Sequence, residues 1–128
     1  MPKPSTSSAV YDAEAKGFLL NGAKMWITNG TLTGNETGDL FLVYARTGES
    51  RADITQFIVE GGMDGFYVGQ KIHDKLGMRA SPTAELVFEN VFVPQSNVVG
   101  GVNEASICMV SMSCYANVDM MRPILNLL

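Results

Sequence analysis

The chain has 128 residues, 46% of them hydrophobic, and a formal net charge of −4, which suits one globular domain that removes roughly two-thirds of its unfolded surface from water. Nine Lys and Arg against thirteen Asp and Glu, with no long basic run, exclude nucleic-acid binding by phosphate neutralisation. No apolar run approaches the ~18 residues of a membrane span, the start Met-Pro-Lys-Pro-Ser-Thr-Ser-Ser has no signal-peptide core, and Cys108 and Cys114 with one distant His73 do not make a zinc set and read as buried, reduced thiols.

In chain order, residues 1–8 read as a loose leader. Turn signals then recur at Asn21-Gly22, Asn29-Gly30, Thr33-Gly34-Asn35, Gly61-Gly62, Asp64-Gly65 and Gly100-Gly101. Between them lie runs rich in β-branched and aromatic residues: Gly17–Leu20, Lys24–Thr28, Leu40–Ala45, Thr55–Glu60, Phe66–Lys71 and Ala84–Pro94. Short strands with regular turns predict an all-β barrel or sandwich. Asn21-Gly22 predicts a tight type I′ hairpin between Phe18 and Trp26. Leu86 and Phe88, then Val91 and Val93, alternate on either side of an expected bulge at Glu89-Asn90. Thr31–Asp39 and Thr47–Asp53 are polar, solvated loops. Residues 104–121 place Ile107, Val110, Cys114, Val118 and Met121 at near-helical spacing, and Arg122-Pro123 ends the run. The expectation is a C-terminal helical tail with a broad apolar surface and no second helix to cover it.

Three clusters carry candidate chemistry. Trp26 and Thr28 alternate so as to share a strand face. They fit either a core tryptophan beside a turn or a flat wall and hydroxyl for a planar cofactor. In the loop Asp74-Lys-Leu-Gly-Met-Arg-Ala-Ser-Pro-Thr83, Gly77 is placed for a positive φ. Lys75 and Arg79 there are either anion-steering groups or plain surface charge, with Ser81 or Thr83 bonding local backbone. His73 beside Asp74 has no adjacent nucleophile and reads as a solvated histidine. No dinucleotide glycine fingerprint, phosphate loop, nucleophile elbow or metal-ligand cluster is present in the sequence.

The wording goes further than the composition. Phe18-Leu-Leu-Asn-Gly-Ala-Lys-Met-Trp-Ile-Thr-Asn-Gly30, Phe57-Ile-Val-Glu60 with Gly65-Phe66, Lys75-Leu-Gly-Met-Arg-Ala-Ser-Pro-Thr83, Glu85-Leu-Val-Phe-Glu-Asn-Val-Phe-Val-Pro94 and Asn97-Val-Val-Gly100 resemble the acyl-CoA dehydrogenase family, in the family's order and at nearly its spacing. The resemblance covers roughly residues 16–103. It is nearest to the isovaleryl-CoA branch, with the short-chain branch a near neighbour, and it favours a dehydrogenase over an acyl-CoA oxidase.

The resemblance implies the family's middle β domain over 9–102, followed at 103–128 by a divergent first helix of a C-terminal helical domain. It implies FAD as cofactor, with Trp26 against the isoalloxazine ring, Thr28 hydrogen-bonding near its reactive nitrogen and Ile27 contributing backbone contacts. Ser50 and Arg51 fall about where the isovaleryl branch touches acyl-CoA. The implied parent oxidises a short branched acyl-CoA, isovaleryl-CoA, to the 2,3-enoyl-CoA in leucine breakdown and passes electrons to an electron-transferring flavoprotein. Its compartment is the mitochondrial matrix in a eukaryote and the cytoplasm otherwise. The chain departs from the family where chemistry is decided. Met1–Val10 is unlike the upstream flavin loop, the catalytic glutamate's place falls near Ala116, no glutamate follows Glu104, and Asp119 sits about one turn late. The expectation is therefore a chain with no catalytic residue of its own, inactive alone, with weak or absent FAD binding and apolar faces prone to self-association. The alternative is a non-catalytic β-barrel module that kept the fold for binding.

Overall fold

The structure is a computed structural model that describes residues 7–31, 36–50 and 52–105. The expected helix over 104–121, with Cys108, Cys114, Ala116 and Asp119, lies outside the described residues except for its start, as does Arg51. Seven strands follow one another: β1 Ser8–Asp12, β2 Gly17–Thr28, β3 Leu40–Arg46, β4 Ile54–Glu60, β5 Phe66–Lys71, β6 Thr83–Pro94 and, after a short 3₁₀ turn at Gln95–Asn97, β7 Val98–Val99. They form one sheet in the order β5-β6-β2-β1-β3-β4-β7. All neighbours are antiparallel except β1 and β3, joined in parallel at Ser8 and Arg46.

The sheet curls over its own apolar face. Phe18 on β2 meets Phe57 on β4 edge-on, with ring centroids 5.1 Å apart, and Phe41 on β3 meets Phe66 on β5 at 5.3 Å. Neither pair belongs to adjacent strands, so these rings bridge the two halves. Phe66 also stacks on Phe88 at 4.9 Å. Leu20, Val43, Val59, Leu86, Val91 and Val93 complete the fully buried core. Along most of β6 the buried residues alternate with more exposed ones, as one-sided burial requires, whereas β3 and β4 are buried on both faces at Val43–Ala45 and Thr55–Phe57. The all-β expectation holds.

The Asn21-Gly22 hairpin does not. β2 runs unbroken through both residues, from Gly17 to Thr28. Opposite them β6 carries an extra residue: Leu20 pairs with Val91 but Gly22 with Phe88. The bulge expected at Glu89-Asn90 is therefore real, and Asn21 answers it instead of turning the chain. The Asn21 side-chain oxygen accepts from the Asn90 backbone N–H at 2.9 Å, and its amide donates to the Asn90 side-chain oxygen at 3.0 Å. Gly22 takes φ +139 and Asn90 φ +52. Of the expected pair only Gly22 takes a positive φ, and it sits beside a bulge rather than in a turn.

β1 was not among the strands expected. Ser7 is buried and its carbonyl accepts from the Arg46 N–H at 2.9 Å, so these residues belong to the sheet. The β1–β2 turn has no glycine before Gly17. Asp12 closes it by accepting from the Glu14 and Ala15 N–H groups, and Lys16 takes the positive φ.

Candidate functional site

A second bulge positions the tryptophan. Lys24 pairs with Leu86 and Ile27 with Ala84, so Met25 and Trp26 together face one residue of β6, Glu85. β5 has its own irregularity at the same level, where Val68 pairs with Leu86 and Gln70 with Glu85, leaving Gly69 over. Two bulges flank Glu85 and bend the sheet there. At the β2 bulge Trp26 is held at φ +64, a left-handed conformation that costs a bulky side chain about 1 kcal/mol or more.

The strained turn puts the indole outside. Trp26 is 59% exposed, whereas Ile27 beside it is 4% exposed and anchors the strand in the core. Thr28 is again exposed. Trp26 and Thr28 therefore share the outer side, as their spacing requires, and the core-tryptophan reading is excluded. The Thr28 end is clamped: Thr28 pairs with Thr83, the Asn29 N–H donates to the Pro82 carbonyl at 2.9 Å, and the Gly30 N–H to the Ile27 carbonyl at 3.2 Å. The result is a flat, exposed aromatic and a hydroxyl on a rigid, closed strand end.

Ser50 lies elsewhere. β1 pairs antiparallel with β2 and parallel with β3, and Ser8 is level with both Asn21 and Arg46. The loop beyond Arg46 therefore extends toward the Gly17 end of β2, while Trp26 lies five residues the other way, roughly 17 Å along the strand. The loop is tied by Asp53, whose carboxylate accepts from the Ser50 N–H at 3.0 Å and whose backbone N–H donates to the Ser50 carbonyl at 3.2 Å. The structure does not join Ser50 to the Trp26 and Thr28 patch.

The loop of residues 72–83 adjoins the patch. Lys75 Nζ donates to the Ser81 carbonyl at 2.6 Å and to Thr83 Oγ1 at 2.7 Å, and Arg79 Nε donates to the Lys75 carbonyl at 2.9 Å. Lys75 is thus an internal strut, closer to the local-bonding expectation than to an anion-steering charge. Gly77 does not take the positive φ expected of it; Met78 does, at +52, where its carbonyl closes a turn to the Ser81 N–H. His73 is exposed, as expected. Sequence reasoning passed over Lys24, a 6% exposed lysine two residues before Trp26. Burial lowers its pKa from the ordinary lysine value. Its position on the inward face of a strand was the available signal. Among the described residues no group of His, Cys, Asp and Glu could hold a metal ion, and no helix is long and apolar enough to cross a membrane.

Residues 3–91 match the sequence profile of the acyl-CoA dehydrogenase middle domain. The chain belongs to the acyl-CoA dehydrogenase family. It is 44% identical over 119 residues to the mitochondrial isovaleryl-CoA dehydrogenase of Solanum tuberosum, an alignment covering 87% of this chain and 27% of that protein. Butyryl-CoA dehydrogenase from Megasphaera elsdenii superposes with a TM-score of 0.73 at 36% identity, over 84% of this chain and 27% of that one. An acyl-CoA dehydrogenase complexed with FAD from Bacillus anthracis gives 0.71 at 31% identity, over 84% and 17%. The chain thus spans about a quarter of the length of the curated isovaleryl-CoA dehydrogenases it matches.

Proposed function

We propose that this chain is the cofactor-facing wall of an FAD-dependent acyl-CoA dehydrogenase, with the flavin ring against Trp26. The observation that carries this is Trp26 itself: a large indole held outward at φ +64 and 59% exposed. Burial does not account for such a residue, and its backbone strain points to use at a site. The residues present fit a flavin. Trp26 would stack on the isoalloxazine face, Thr28 would hydrogen-bond near the reactive nitrogen, and Ile27 would add backbone contacts while its side chain fixes the strand. When bound, the flavin supplies a two-electron acceptor for the acyl β-hydrogen.

The parent reaction is, on this reading, oxidation of isovaleryl-CoA or a similar short branched acyl-CoA to the 2,3-enoyl-CoA, with electrons leaving to an electron-transferring flavoprotein. The relatives named mitochondrial support a matrix location for a eukaryotic parent. The 9–102 segment would be the middle domain and 103–128 the beginning of a helical one. The placement of Ser50 and Trp26 toward opposite ends of β2 suits a long, extended acyl-CoA better than a small ligand, with Ser50 at its far end. The α-proton needs a carboxylate base, and residues 105–128 contain no glutamate. The chain alone therefore offers one wall for the cofactor, binds it weakly and does not abstract that proton, and its uncovered faces favour self-association.

The test is an FAD titration of the purified chain, followed by flavin absorbance and fluorescence, with Trp26→Ala as control. Weak, saturable binding that perturbs the flavin bands and is lost in the variant is expected. Binding that Trp26→Ala leaves unchanged would overturn the assignment.

A further inference from the structure

We propose that the cleft between the 72–83 loop and the 28–31 turn is a phosphoanion site, distinct from the flavin wall and independent of that reading. The cleft has a volume of about 360 Å³ and is lined by Lys71, His73, Arg79, Ser81 and Thr83 among others. Its charge is unusual for this molecule. In a chain of net charge −4, three of nine Lys and Arg and the only His fall within residues 71–79, alongside one acid, Asp74. Another cleft, of about 330 Å³, has Glu36 and Asp39 in its lining and no Lys, Arg or His.

The hydrogen bonding leaves donors available on residues that line this cleft. Lys75 spends its ammonium on the Ser81 carbonyl and on Thr83 Oγ1. Thr83 is 8% exposed, and its oxygen already accepts from Lys75. Its own O–H is left to donate, with no acceptor among the described residues, and it lines the cleft. Arg79 bonds the Lys75 carbonyl through Nε only, which turns the guanidinium and leaves its two terminal nitrogens available. Lys75 is therefore a positioning residue. It ties down Thr83 and, through its carbonyl, Arg79, and both residues line the cleft. Lys71, at the end of β5, adds a second cation. Donors with positive charge and no carboxylate on the cleft wall suit a phosphate or pyrophosphate group.

Inorganic pyrophosphate titrated into the 128-residue chain at low salt, followed by amide NMR shifts, is expected to give saturable one-site shifts at Lys71, His73, Ala80, Ser81 and Thr83. Arg79→Gln and Lys71→Gln are each expected to weaken binding about fivefold or more. Thr83→Val should weaken it about threefold, with Thr83→Ser restoring it. Lys16→Gln, in the β1–β2 turn, and Trp26→Ala should leave it unchanged, which separates this site from the flavin wall. Shifts that do not saturate, or a dissociation constant unchanged in Arg79→Gln, would overturn the proposal. Competition identifies the source of the anion. Displacement by FAD but not riboflavin assigns the cleft to the flavin's phosphates. Displacement by CoA but not FAD assigns it to those of CoA, and displacement by neither leaves free phosphoanion as the occupant.

Discussion

Trp26 and Lys24 sit two residues apart on β2 and pose opposite problems. The indole is outside at a strained φ, and the lysine is inside with its charge penalised. Trp26→Gly should relieve the left-handed strain and raise stability by up to about 1 kcal/mol in thermal melts, while abolishing the flavin interaction. In the unliganded chain, Trp26 emission should resemble free tryptophan and be readily quenched by acrylamide. Lys24→Met should stabilise at neutral pH by about 1 kcal/mol, because the buried ammonium loses hydration without a described ion partner. The sign of its pH dependence follows from the lowered folded-state pKa. The unfolded chain holds the proton more tightly, so the penalty is full below the folded pKa and disappears as pH rises toward 10.5. The difference in melting temperature between the variant and the wild type should therefore shrink from pH 7 to pH 10.5. A difference constant with pH would place the cost in packing instead. The pairing of Trp26 with Thr28 was legible from strand periodicity alone. That the indole is exposed was not, because an extra residue at the bulge changes which side it faces and no local pattern marks it.

The bulges and turns decide where each strand points. Asn21 and Asn90 hold the β2–β6 irregularity with two reciprocal hydrogen bonds. Asn90→Ala should cost about 1–2 kcal/mol, combining a lost bond with a residue forced to φ +52. Asn90→Gly should recover part of it. In a double-mutant cycle with Asn21→Ala, a coupling near zero would rule out the pair as a unit. Gly65 is the tighter constraint. At φ +80, a Cβ there would stand 2.1 Å from the Glu89 carbonyl, beside the same bulge. Gly65→Ala should destabilise by about 2 kcal/mol or more in chemical denaturation. Four of the expected strand runs, Leu40–Ala45, Thr55–Glu60, Phe66–Lys71 and Ala84–Pro94, match observed strands to within a residue at either end, because apolar alternation and bounding glycines speak directly about burial. The failures share a cause. Asn21-Gly22 states a φ preference, but only Gly22 takes a positive φ, and Asn21 instead spends its side chain on the bulge across the sheet. Ser8–Asp12 is too short and too polar to announce itself, and exists because β2 and β3 offer it partners.

For the molecule as a whole, family wording identified the domain, while topology decided which candidate residues share a site. Trp26 and Thr28 stand together beside the 72–83 loop, and Ser50 stands apart, a separation that only the register of three strands reveals. That register has a further consequence, for synthesis. The longest ladder joins β2 to β6, with Gly17 opposite Pro94 and Thr28 opposite Thr83. As the chain emerges from a ribosome, β2 waits unpaired on that side for more than fifty residues. Its exposed edge must be kept from other chains throughout that interval. Closure on that side is then a late event, made when β6 arrives and covers the edge of β2 that β1 leaves open. A chain halted before residue 83 would carry the tryptophan segment and nothing to bend it outward.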